Sequence, residues 1–207
     1  MRVLVMVCLL VLGHAAGSGA DVLADAAASL DAMMAALERD GRLDLDGEQI
    51  VAAGIVAFGD LVDTDDVVVE ELFLTNALGP MWLAKRVAPL LGESQGFFVN
   101  LSGVVAETPM PGMAAYSASK AGVAGMALPM AREFARIDVR VNTVAPGIFM
   151  TPMMEGLAED AQASLAAQVP FPSRLGRPDE FADLVAYICT NSMLNAETIR
   201  LDGAIRM

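Results

Sequence analysis

Tyr116 and Lys120 lie four positions apart in the run Ala115-Tyr116-Ser117-Ala118-Ser119-Lys120. On a helix that spacing stacks two side chains on one face. An ammonium beside a phenol favours the phenolate and draws a pKa of about 10 toward neutral. A phenol so placed can give a proton to a carbonyl, or take one from an alcohol, near neutral pH. That is the proton half of a hydride-transfer reaction. A Tyr and a Lys at this spacing also meet by chance on helices, so the pair draws its weight from its surroundings.

The elements that must hold the pair alternate along the chain. Gln49-Ile50-Val51-Ala52-Ala53-Gly54 reads as a buried strand. Thr64 to Glu71 leads into a helix through Asn76, Trp82 and Lys85 to about Leu91. A short apolar strand, Gly96 to Leu101, comes next, then a loop with Pro109, Pro111 and Gly112. The helix of the pair runs from Tyr116 to Ala135, and its Gly122 and Gly125 suit close packing against another helix, or are simply tolerated there. Arg140 to Ala145 is a second buried strand, Pro178 opens a further helix, and Thr198 to Leu201 is a last strand. Such alternation predicts an α/β fold with a doubly wound parallel sheet, whose ligands bind outside the carboxyl ends of the strands.

Composition sets limits. A chain of 207 residues is long enough for one domain with a full core. Continuous apolar runs suit a parallel sheet covered on both faces. A formal charge of -13 repels phosphate backbones, so nucleic acid is not an expected partner. Cys8 and Cys189 both sit in apolar runs and read as buried thiols. No Cys/His group has metal-ligand spacing, so no metal is expected. The lone His14 gives little support to a Ser-His-Asp triad.

Several motifs then line up with a known family. Tyr116-Ser117-Ala118-Ser119-Lys120 resembles the Tyr-x-x-x-Lys signature of the short-chain dehydrogenases/reductases. Val139-Arg140-Val141-Asn142-Thr143-Val144-Ala145-Pro146-Gly147 resembles that family's sixth strand and its Pro-Gly turn, and Thr75-Asn76-Ala77-Leu78-Gly79 the start of its long interface helix. Gln168 to Gly176 and Ile199 to Met207 are similar to the ends of type II 3-hydroxyacyl-CoA dehydrogenases. The resemblance covers the chain from about Ile50 onward. It implies a Rossmann-like sheet, NAD or NADP as cofactor with NAD favoured, and a small alcohol or ketone substrate. A homodimer or homotetramer through the two long helices is implied as well.

The resemblance also implies roles. Tyr116 is then the acid/base, Lys120 lowers its pKa and holds the nicotinamide ribose, and Asn76 positions a water in a proton relay. Pro146, Gly147 and Ile148 line the nicotinamide, Thr151 bonds its phosphates or amide, and Ala53 and Gly54 border the cofactor. Gly147 to Gly156 resembles a mobile substrate loop, with Phe149, Met150, Met153 and Met154 as an adaptable apolar lid.

The first twenty residues admit two readings. In one, Val3 to Leu12 is a first strand feeding a glycine turn, and Gly13, Gly17 and Gly19 let the backbone approach the cofactor phosphates. In the other, Arg2, the apolar run and Ser18-Gly19-Ala20 form a secretory signal peptide. Ten apolar residues are too few to span a bilayer. The strand reading is preferred because the remaining elements need a first strand to complete a nucleotide site; it goes with a cytoplasmic protein, and the signal reading with an exported one. Asp21 to Arg39 then reads as one helix. The interval before Gln49 has no room for a further strand-helix-strand unit of roughly 30 residues, so the second and third strands of the family are expected to be lacking. The residue that selects NAD or NADP through the adenine ribose lies in that part of the family fold.

Two positions depart from the family pattern. The substrate-orienting Ser belongs thirteen residues before Tyr116, where Gly103 stands. Ser102 is its neighbour and points to the opposite side of an extended chain, so it can serve only if the loop shifts. Val51-Ala52-Ala53-Gly54 replaces a motif that begins with an Asn brace. Two functions follow as expectations: an oxidoreductase acting on a secondary alcohol or ketone, a 3-hydroxyacyl-CoA ester being the best-supported substrate, or a non-catalytic member serving as a binding or assembly subunit.

Overall fold

The structure is a computed structural model and describes residues 3–6, 49–51, 54–94 and 96–206. Gly13, Gly17, Gly19, Ala53, Cys8, His14 and the helix expected over Asp21 to Arg39 lie outside the described residues.

Five strands form one sheet: β1 (Val3–Met6), β2 (Gln49–Val51), β3 (Phe97–Leu101), β4 (Arg140–Pro146) and β5 (Thr198–Leu201). Their order is β2-β1-β3-β4-β5, and every pairing is parallel. The chain order reverses at β1, so the carboxyl ends of β1 and β3 flank the crevice where such sheets take ligands. Among the described residues there is no strand beyond these five.

The helices are α1 (Asp66–Phe73), α2 (Gly79–Ser94), α3 (Ala114–Phe134), α4 (Pro152–Glu155), α5 (Glu159–Ala167) and α6 (Pro178–Thr190). Asp65 caps α1 by accepting from Val67 N–H at 3.0 Å. Pro178 opens α6, and Glu180 closes its capping box by accepting from Arg177 N–H at 2.8 Å.

Burial shows why the sheet is wound on both faces. Strand side chains alternate, and all of β3 is buried. Phe98 and its β4 neighbour Val141 share a cluster with Leu83, Val87 and Leu91 of α2 and Ala131 of α3. Phe97, Val99 and Leu101 meet Val185, Ile188 and Cys189 of α6. The run Asp66–Glu93 is long and apolar enough to cross a membrane by composition alone, but its Leu72, Leu83, Ala84, Val87 and Leu91 are buried in this chain's own core.

Within the chain, Gly125 has nothing within 4 Å of an added Cβ, and at Gly122 that atom would meet Ala77 at an ordinary 3.8 Å, so this chain's own helices merely tolerate both glycines. One expectation needs correction. The long helix through Asn76 is not uniform: Leu74–Leu78 is a π-helical turn between α1 and α2. Inserted turns of that kind recur at functional sites.

Candidate active site

Lys120 is gripped twice by the end of β3. Its Nζ donates to the Leu101 carbonyl at 3.3 Å, and its own backbone carbonyl accepts from Ser102 Oγ at 2.7 Å. The side chain is only 3% exposed. Tyr116 stands one turn away, with the Lys120 ammonium 6.0 Å from its ring centroid. The tyrosine ring packs with Ile148 against Val104, Val105, Met113, Val169 and Ile205. The pair therefore sits where α3 crosses the carboxyl ends of β3 and β4, with one wall of apolar side chains.

Asn76 reaches this place from the π-turn. It is fully buried, accepts from Ile55 N–H at 2.9 Å and donates to Ile55 O at 2.9 Å. Its Nδ2 also donates to Ser119 Oγ at 3.1 Å, and Ser119 Oγ donates to the Tyr116 carbonyl at 2.7 Å. One side chain thus ties the segment after β2 to the helix of the Tyr–Lys pair. Gly54, buried, stands directly before Ile55.

Pro146 ends β4. Gly147 N–H donates to Leu201 O at 2.9 Å, and an added Cβ there would fall 2.9 Å from Asp202 Cα, so only glycine fits without a shift. Ile148 is half-buried beside Tyr116, and Thr151 is exposed. The structure therefore brings Tyr116, Lys120, Asn76, Ser102 and Ile148 together, with Pro146 and Gly147 at the adjoining strand end and Thr151 further out on the surface.

Ser102 lies in the site but faces the helix. Its buried hydroxyl is committed to Lys120 O, and its N–H to Val144 O at 2.9 Å. Gly103 is extended, with φ 178° and ψ 158°, and an added Cβ would meet only Val105 Cγ2, at 3.5 Å. Nothing in the backbone or the packing at 103 requires glycine.

The expected lid is partly pinned. Gly176 N–H donates to Ile148 O at 2.9 Å, and Met150 N–H to Gly176 O at 2.8 Å. Phe149 lies on Gly176, where an added Cβ would come within 2.7 Å of the ring, and meets Phe181 edge-on at 6.2 Å. The corner behind it is ionic. Arg174 binds Glu180 through two bonds of 2.9 and 2.6 Å, and this fork with the Arg177 N–H holds the Glu180 carboxyl at about 2. Loops also clasp at the mouth: Gly59 N–H donates to Gly112 O at 2.9 Å, and Gly112 has a left-handed φ of +81° that favours glycine.

Sequence reasoning missed Ser119 and Arg200. Ser119 links Asn76 to Tyr116, and it carried a signal only as the small residue inside the Tyr–Lys run. Arg200 joins Glu107, at 2.7 Å, to Asp202, tying the turn after Gly103 to the chain's last segment. Charge pairing across 93 residues leaves no local pattern to read.

Comparison with known proteins settles the kinship. Residues 12–204 match the family model described as "Enoyl-(Acyl carrier protein) reductase". The chain belongs to the short-chain dehydrogenase/reductase family. Among its relatives in that family, the 3-hydroxyacyl-CoA dehydrogenase type-2 of Rattus norvegicus is 47% identical over 139 residues, 64% of this chain and 53% of that protein. A 3-oxoacyl-(acyl-carrier-protein) reductase of Thermotoga maritima is 33% identical over 172 residues, 82% of this chain and 68% of that protein. A solved structure of 3-hydroxyacyl-CoA dehydrogenase type-2 from Mycobacterium avium aligns with a TM-score of 0.73 at 35% identity, covering 86% of this chain and 74% of that one. The chain spans about half the length of the curated mammalian 3-hydroxyacyl-CoA dehydrogenases it matches in sequence.

Proposed function

We propose that this chain is an NAD(P)-dependent oxidoreductase that moves a hydride between a nicotinamide cofactor and a secondary alcohol or ketone, with a 3-hydroxyacyl-CoA ester as the favoured substrate class. The buried Lys120 beside Tyr116 carries this reading. An ammonium has three donors, and among the described residues Lys120 has one acceptor, the long contact to Leu101 O. Burying such a group is costly unless its hydrogen bonds are made, so its two remaining donors fit the hydroxyls of a nicotinamide ribose. Lys120 and Tyr116 would hold that ribose, and Pro146, Gly147, Ile148 and Thr151 would border the rest. Bound there, the nicotinamide supplies the hydride chemistry.

The chain's own residues handle the proton. Tyr116 Oη exchanges it with the substrate oxygen, and Lys120 favours the phenolate by its charge. Asn76 fixes the helix register through Ile55 and Ser119. The apolar wall of Val104, Val105, Met113 and Ile205 excludes water from the Tyr116 side. The names of the relatives support an acyl thioester as substrate. A homodimer or homotetramer through the outer faces of α2 and α3 belongs to the same proposal, supported by the open space beside Gly125 and the exposed Leu128.

Gly103 and Ser102 favour a second reading, a chain that binds its ligands without turning them over. The position that should donate to the substrate oxygen has no hydroxyl, and the neighbouring hydroxyl is held by Lys120 O. Titration with NADH and with NADPH, followed by nicotinamide fluorescence, tests both readings. Saturable binding followed by acetoacetyl-CoA reduction that Tyr116→Phe abolishes establishes the enzyme. Binding without reduction supports the second reading, and no binding at millimolar cofactor refutes the oxidoreductase and leaves a non-catalytic assembly role.

A further inference from the structure

Between the sheet and α3 lies a layer of buried polar side chains: Asn76, Asn100, Ser119, Lys120 and Thr143. Asn76, Ser119 and Lys120 hold the partners described above. Asn100 and Thr143 are both fully buried, yet Asn100 Oδ1, Asn100 Nδ2 and Thr143 Oγ1 have no hydrogen-bond partner among the described residues. Buried polar groups in folded proteins are paired with protein or with ordered water.

The two residues are direct register partners on β3 and β4. Two positions back, Phe98 and Val141 are also register partners, and both face α2 and α3. Side chains on a strand repeat every second residue. Asn100 and Thr143 therefore project from the same face, side by side, one peptide before the Leu101 carbonyl that holds Lys120 Nζ. Ser117 Oγ also lacks a partner, but a helical serine can turn to its own i−4 carbonyl. Strand side chains have no such local outlet.

We propose that Asn100 and Thr143 together bind one buried water molecule between the sheet and α3. Asn100 supplies a donor and an acceptor, and the Thr143 hydroxyl supplies either. The resulting three hydrogen bonds match what a buried water ordinarily makes. The site is part of the fold and does not depend on bound cofactor.

A crystal structure at a resolution that shows ordered water tests this directly. A water peak within hydrogen-bonding distance of both side chains is expected; side chains bonded to protein partners with no such peak overturn the proposal. Thermal unfolding of Thr143→Val, Asn100→Leu and the double variant gives a second measurement. Each single change should lower the midpoint by roughly 2–4 °C, with little further loss in the double variant, because both act on one water. Additive losses, or a raised midpoint in either single variant, overturn it. If a variant fails to fold, the crystal structure of the unaltered chain decides.

Discussion

Ser102 Oγ donates to the backbone carbonyl of Lys120 at 2.7 Å. The nearest hydroxyl to the usual substrate-orienting position therefore serves the helix. Ser102→Ala removes the second of two hydrogen bonds to a carbonyl that the helix ladder already pairs, which costs about 0.5–1.5 kcal/mol. Denaturant unfolding should show that loss, while NADH affinity of the folded variant stays within about twofold. A variant of unchanged stability that no longer binds nucleotide would place the hydroxyl in the ligand site.

Gly103→Ser restores a donor where backbone and space accept it, since φ is extended and the added Cβ meets only Val105 at 3.5 Å. A missing donor at a developing oxyanion costs about 10²–10³ in rate. Turnover of acetoacetyl-CoA with NADH should rise by up to that factor, with unfolding stability unchanged. Equal rates in the two proteins would show that the deficit lies elsewhere.

Tyr116→Phe and Lys120→Met separate proton transfer from cofactor holding. The first removes the hydroxyl alone, so turnover falls by about 10²–10⁴ while nucleotide binding persists. The second removes the ammonium and its donors, so both fall. Fluorescence titration beside a rate assay distinguishes these patterns; loss of nucleotide binding in Tyr116→Phe would argue against the division of labour.

Glu180 gives the fold an acid-sensitive corner. Its carboxyl ordinarily titrates near 4.5 and is held at about 2 by the Arg174 fork and the Arg177 N–H. A depressed carboxyl contributes stability above its unfolded pKa and loses it as pH falls toward its folded value. The unaltered chain should therefore melt above Glu180→Gln at neutral pH, and the gap should close between about 4.5 and 2. A gap that persists at the acid end would assign the difference to packing.

Much of this was legible in the residues. β5, though only half-buried, matches its expected bounds, Thr198–Leu201, and α3 differs from expectation only at its ends, because a short strand between turn residues and a long helix carry dense local signals. Helix α5 was not anticipated: none of its residues is buried, so no apolar stripe marks it. The π-turn was hidden because hydrogen-bond register leaves no pattern in side-chain type. The place of β1 between β2 and β3 is a choice among pairings that sequence order does not encode. In the site, residue spacing gave the Tyr–Lys pair and the family resemblance pointed to Asn76, while the fate of the Ser102 hydroxyl depended on a partner 18 residues away.

Arg140 makes a single mechanical part of β4 and α6. Its guanidinium donates to the carbonyls of Ile188, Cys189, Asn191 and Leu194, plugging the negative end of α6 from the neighbouring strand. Strand and helix tail then cannot slide apart without breaking four bonds at once. An opening of the site that spares these ties hinges in the stretch from about Thr151 to Gln168, because Val169 is buried in the core and Phe171 N–H donates to Gly203 O at 3.2 Å. The molecule is built like a door frame whose jambs are fixed and whose panel is short.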